Sequence, residues 1–316
     1  MLYSIQALRG FGAVAVVIFH ALTLYPELNF RAGAAGVDIF FVISGIVMAL
    51  SIKENAKPGI FLLRRVIRVV PLYWVMTGLA ILNVYIFYPG ASVGSDAVVR
   101  SMLFLKPANG SMPLLYPGWS LNYEMLFYVV LALFISFRRY CLPFVALVFI
   151  FLGSLSEIGH FHEFYFVKYY LLEFSLGILI GSLFKRNIKI ERGVGILFLI
   201  FSFALFALHN YFKSEGFIAW GVPSILLVLG CYSFENKAIF RNKIVQMMGD
   251  ASYSIYLVHP FVIWAFERNY SGSIIVLFFG IFLSIFFGVI CFRWIEQPML
   301  NCMLGFVRVK TKIQVT

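Results

Sequence analysis

The chain has 316 residues, of which 62% are hydrophobic and only 12% charged. A soluble surface usually carries about a quarter charged residues, so this composition excludes an ordinary water-soluble enzyme. The formal net charge of +11 does not mark a nucleic-acid binder either, because the basic residues fall in short blocks between apolar runs rather than on one patch.

Ten apolar runs are predicted as transmembrane helices, at 4–25, 35–52, 69–88, 119–137, 141–158, 165–184, 194–211, 217–234, 251–266 and 274–294. Each is close to the roughly 20 residues that cross a hydrocarbon core about 30 Å thick. The expectation is an all-α, polytopic integral membrane helix bundle, with residues 1–300 as one transmembrane domain and 301–316 as a short basic tail. No room is left for a soluble catalytic domain, so any chemistry must be built among the helices. The first run is not a cleaved signal peptide. It lacks a basic leader, carries Arg9 and His20, and is followed by Pro26 and Glu27 instead of a small-residue cleavage pattern.

With the N-terminus placed in the cytoplasm, one side collects Lys53, Lys57, Arg64, Arg65 and Arg68 in a single connection. The same side adds Arg138 and Arg139; Lys185, Arg186, Lys189 and Arg192; Lys237, Arg241 and Lys243; and Arg308, Lys310 and Lys312. The other side holds only Arg31, Arg100, Lys106, Lys168, Lys213 and Arg268. Such asymmetry follows the positive-inside rule and puts both termini in the cytoplasm. Cys141, Cys231, Cys291 and Cys302 then lie at or near the cytoplasmic side, where disulfides are rare. Their spacing fits no zinc site, and no metal is expected.

Ionisable residues inside these runs carry the functional signal, because a charge at bilayer depth is costly unless it has a partner or a wet cavity. Arg9 and His20 share the first run. Eleven residues at 100° each leave them about 20° out of phase and ~16 Å apart along one face. They are either a functional pair or a snorkelling arginine and a satisfied polar histidine. Asp38, early in the second run, lies near the depth of His20 if the two runs form a hairpin. A carboxylate there would orient the imidazole, whereas Asp38 alone could simply cap its helix. Glu124 falls at a similar depth in the fourth run, so His20, Asp38 and Glu124 are expected to meet in one cavity that handles protons.

Arg64, Arg65 and Arg68 concentrate three guanidinium groups at a helix entrance. They suit phosphate contacts, or serve as a plain topology signal. Near the start of the ninth run lie Tyr253 and His259, with His259 placed at about the depth of Arg9. Their neighbouring Ser and Tyr hydroxyls either line a polar channel or hydrogen-bond between helices. The 89–118 connection, long and partly apolar, reads as a re-entrant or binding loop, and 234–249 as an amphipathic segment at the inner surface. His160 and His162 form a solvated pair in an outer loop. No Walker A loop, Gly-x-Ser-x-Gly or His-Glu-x-x-His motif is present.

Taken in order, Arg9-x10-His20, GVDIFFVISG at 36–45, RRxxRxxPLYW at 64–74, WSLxxE at 119–124, SYSIYLVHP at 252–260 and IEQP at 295–298 resemble the acyltransferase 3 family of bacterial membrane O-acyltransferases. The chain looks closest to the exopolysaccharide and O-antigen acetyltransferase branch. The resemblance implies a multi-pass protein of the bacterial inner membrane. It implies an acyl-CoA donor, acetyl-CoA first, and a hydroxyl acceptor on a polysaccharide or a lipid-linked oligosaccharide, with membrane lipids as surroundings and no nucleic acid. Some relatives carry an added SGNH-type outer domain, and this chain ends soon after its tenth run. On this reading Arg64, Arg65 and Arg68 hold the donor phosphates, and the donor arm passes Arg9, Tyr253 and His259. His20, oriented by Asp38 or Glu124, is the base or an acyl carrier. A transporter and a non-catalytic partner of a glycan export system are the rival classes. Oligomeric state is not legible.

Overall fold

The computed structural model describes residues 2–313 apart from 26, 29, 54, 160–163 and 269–273; the His160–His162 pair thus lies outside the described residues. The described chain is helical throughout, with no strand. Its helices are α1 Tyr3–Ala21, α2 Gly36–Ser51, α3 Pro58–Phe87, α4 Ser95–Met102, α5 Gly118–Phe134, α6 Cys141–Glu157 and α7 Tyr170–Lys185. The remainder are α8 Arg192–Phe212, α9 Val222–Tyr232, α10 Ala238–Arg241, α11 Lys243–Asp250, α12 Ser252–Arg268, α13 Ile274–Cys291 and α14 Gln297–Ile313. The ten apolar runs lie largely on helix, the run at 165–184 only from Tyr170 onward. Six helical stretches among the described residues are long and apolar enough to cross a membrane: Tyr3–Leu24, Arg31–Ser51, Pro58–Phe87, Gly118–Glu157, Arg192–Phe212 and Ile274–Phe306. Gly118–Glu157 carries two runs in one, folded back where Arg138 takes φ 52°. Helices α7, α9 and α12 are shorter, at 16, 11 and 17 residues. The protein is an all-α membrane protein.

Helix α2 is the central post. Gly45 and Gly177 let α2 and α7 meet backbone to backbone: a Cβ on Gly45 would stand 2.1 Å from the Phe174 carbonyl oxygen, and one on Gly177 2.2 Å from that of Val42. Small residues at helix crossings are the usual route to close packing where lipid offers no hydrophobic drive. Gly12 and Gly36 similarly bring α1 against the start of α2, and Gly10 meets Gly249 at the end of α11. The first two free N–H groups of α1, on Tyr3 and Ser4, donate to the Glu235 carboxylate at 2.6 and 2.8 Å. A distant acid thus caps the helix and complements its dipole. Outward faces of α3, α8 and α13 expose Tyr85, Phe201, Phe278 and other large apolar side chains, as lipid-facing surface should.

Two boundaries differ from expectation. Helix α3 begins at Pro58, a residue suited to the first helical turn, so Arg64, Arg65 and Arg68 sit on the helix and not in a connection before it. The segment expected as a tail from 301 is continuous helix with what precedes it, in α14. The 89–118 connection folds back into the bundle: Leu115 and Phe104 are buried, Trp74 Nε1 donates to the Met102 carbonyl at 2.8 Å, and Leu114 N to Ser101 Oγ at 3.0 Å. Among the described residues the four cysteines are free.

Candidate active site

A cavity of about 140 Å³ opens between α1, α2, α3, α5 and α12, with Arg9, Arg65, Arg68, Glu124, Tyr128 and Tyr253 among its polar walls. Helical spacing explains the set. On α3, positions 61, 65 and 68 share one face, which turns inward, whereas Arg64 lies on the exposed face. The three arginines are therefore not one cluster; Arg65 and Arg68 enter the cavity and Arg64 does not line it. Arg65 is held by Ser51 Oγ at 3.0 Å and lies over the rings of Phe61 and Tyr128. Tyr253 donates to the Val69 carbonyl at 2.7 Å. Glu124 accepts a short hydrogen bond from Tyr128, one turn further along α5, and a long one from Ser44 at 3.5 Å. The acids whose charge reaches Arg9 are Glu124 and Glu296, against the like charge of Arg68.

His20 lies three turns from Arg9, in a second cluster. Its Nδ1 is 3.0 Å from the Val16 carbonyl oxygen. A carbonyl only accepts, so Nδ1 bears the hydrogen and the neutral ring keeps its lone pair on Nε2. The ring centroids of Tyr116 and His259 stand 4.9 and 5.0 Å from that of His20. Tyr116, brought in by the folded-back connection, sets its hydroxyl 3.0 Å from His259 Nε2. Burial, with Tyr256 and Glu267 nearby, pushes this phenol well above its ordinary pKa, so it remains a donor. Between the two clusters stands Tyr256. It lines the cavity, faces His259 at 5.9 Å, and is fixed by Ser120 Oγ at 2.8 Å and the Pro117 carbonyl at 3.2 Å.

Three expected placements are corrected by this geometry. Asp38 is not beside His20. It lies one turn before Val42 and two before Gly45, on the α2 face that packs on α7, and the acid nearest to it in charge is the buried Glu173 of α7. Glu124 belongs with Tyr128 and Ser44 in the cavity with Arg9, and among the described residues no carboxylate is hydrogen-bonded or ion-paired to His20. His259 is level with His20 and not with Arg9. Gly10 meets Gly249 in the last turn of α11, just before α12 begins beside α1, and further along the two helices the rings of His20 and His259 stand 5.0 Å apart.

Four further residues take part in this site or in the buried acid pair beside it. Tyr128 was readable, since it is four residues from Glu124 on a helix. Glu173 and Glu296 are buried acids in or beside apolar runs, the same signal that singles out Glu124. Tyr116 carries no local signal, because only the fold of its connection brings it in. Among the described residues no group of His, Cys, Asp and Glu has the arrangement of a metal site.

Comparison with known proteins adds independent findings. The acyltransferase 3 profile, described as an acyltransferase domain, matches residues 2–294. The exopolysaccharide production protein ExoZ of Rhizobium meliloti (strain 1021) is 32% identical over 302 residues, covering 90% of this chain and 95% of the relative. The acyltransferase MdmB of Streptomyces mycarofaciens is 25% identical over 323 residues, 86% of this chain and 81% of the relative. No solved structure matches. With a profile match from residue 2 to residue 294, laid over a bundle that buries these two polar clusters, the chain belongs to the acyltransferase 3 family and is a membrane O-acyltransferase.

Proposed function

We propose that the protein moves an acyl group, acetyl in the simplest case, from cytoplasmic acyl-CoA to a hydroxyl of an exported polysaccharide or its lipid-linked precursor. In this reading the bundle crosses the bacterial inner membrane ten times, with both termini in the cytoplasm. The observation that carries the proposal is a cavity walled by Arg9, Arg65 and Arg68 on one side of Tyr256, with a histidine on the other whose Nδ1 holds the hydrogen and whose Nε2 carries the lone pair. Guanidinium groups match phosphate oxygens in charge and fork geometry, so the first cluster suits the donor. The relative ExoZ is named for exopolysaccharide production, which supports a glycan acceptor.

His20 is the base in this mechanism. Its Nε2 takes the proton of the acceptor hydroxyl as that oxygen attacks the thioester carbonyl carbon. The C–S bond then breaks, and the imidazolium returns its proton to the departing thiolate, leaving an ester and free CoA. The Val16 carbonyl, and not a carboxylate, fixes the tautomer that makes Nε2 available. An acyl group carried briefly on Nε2 would use the same geometry.

Purified protein incubated with labelled acetyl-CoA and a lipid-linked oligosaccharide is expected to transfer label and release CoA. No CoA release above background would overturn the proposal in favour of transport or assembly. Arg65→Ala and Arg68→Ala should each raise the KM for acetyl-CoA more than they lower kcat, because phosphate contacts are made in ground and transition states alike; an unchanged KM in both would reduce these residues to topology. Single cysteines at positions 106 and 213 are expected to react from outside the cell, and those at 189 and 243 only from the cytoplasm. Outside labelling at 189 or 243 would reverse the sidedness.

A further inference from the structure

Arg68 does not enter the cavity alone. Its Nη1 is 2.7 Å from Oε1 of Glu296, a residue only 1% exposed at the end of the π-helical stretch that continues α13 into α14. The contact is an ion pair through one terminal nitrogen of the guanidinium, and Arg68 also lines the cavity, so the rest of its planar fork is the part that can meet another acceptor. The second carboxylate oxygen accepts from the fully buried Ser254 at 2.6 Å. Glu296 is thus anchored on α12 and holds an arginine of α3.

We infer that Glu296 is a positioning residue for the donor: it tethers Arg68 so that the free edge of the guanidinium faces the phosphates of acyl-CoA. This rests on the donor assignment above. The physical choice is between two opposed effects. Removing a carboxylate from a site for an anion strengthens attraction to that anion. It also frees a long side chain at the end of the bundle, which then extends to water and leaves the cavity. The second effect is expected to win, because the carboxylate is in contact with Arg68 and its charge is already offset there, whereas the ligand would meet the far edge.

Binding of radiolabelled acetyl-CoA to the purified full-length protein tests this. Glu296→Ala is expected to weaken binding about tenfold, the size of a lost charge-assisted contact, and to match Arg68→Ala. In an Arg68→Ala background, Glu296→Ala should add nothing. Glu296→Gln should fall between wild type and Glu296→Ala. Should Glu296→Ala fail to fold, Ser254→Ala loosens the carboxylate without removing it, and should weaken binding about threefold only where Arg68 is present. Equal weakening in both backgrounds would show a packing role and overturn the inference, as would tighter binding. If Arg68→Ala weakens binding and Glu296→Ala does not, the inference falls while the donor assignment stands. A wild-type protein that binds no acetyl-CoA sinks both.

Discussion

Replacing His20 with alanine is expected to cut acyl transfer by about 10²–10⁴-fold, the range of general-base catalysis, while donor binding survives. The loss follows from one atom. With Nδ1 committed to the Val16 carbonyl, Nε2 is the group of this cluster set to take a proton, since His259 Nε2 faces the Tyr116 hydroxyl. Two measurements check it: acetyl transfer, and retention of labelled acetyl-CoA by the same preparation. A variant that runs as a single species, binds donor and keeps more than about a tenth of wild-type transfer would remove His20 from the mechanism. Asp38→Asn should not reproduce the loss, because Asp38 faces Glu173 across the α2–α7 contact.

The second large effect concerns the fold. Gly45→Val is expected to lower the thermal midpoint of the purified protein by roughly 10 °C or to abolish folded yield, since overpacking costs ~1–3 kcal/mol even where neighbours can move. Here they cannot. The atoms a Cβ would meet are backbone, the Phe174 carbonyl at 2.1 Å and the Ile178 nitrogen at 2.7 Å. Gly78→Val on α3 is the control, for a Cβ there meets nothing within 4 Å. Equal midpoints for the two variants would contradict the α2–α7 packing.

The contrast between these two glycines shows what a sequence of this kind discloses. Apolar runs, the pair Arg9 and His20 on one face, and a re-entrant 89–118 connection are all legible, because length and periodicity encode them. Azimuth between helices is not. Matching the depths of His20, Asp38 and Glu124 placed them on one level but left open which way each helix turns. Glycine packing decides that: Asp38 shares a face with Val42, Gly45 and Ala49, and this face belongs to α7. Register failed for a related reason. The edge of an apolar run puts His259 at the depth of Arg9, whereas the packing of α12 on α1 sets its ring 5.0 Å from that of His20. Tyr116 needed the tertiary fold outright.

One feature of the centre bears on the cell as much as on the enzyme. Any polypeptide offering a polar route across an energised membrane risks short-circuiting it, since each elementary charge that slips through dissipates about 2.3 kcal/mol per 100 mV. In the proposed mechanism such a route is interrupted by the Tyr256 ring, pinned to Ser120 and Pro117 and flanked by Phe40 at 6.0 Å. An acyl group on a flexible tether can push past a side chain; a hydrated ion would have to shed its water to do so. In the proposed mechanism this ring lets carbon cross while the membrane keeps its voltage.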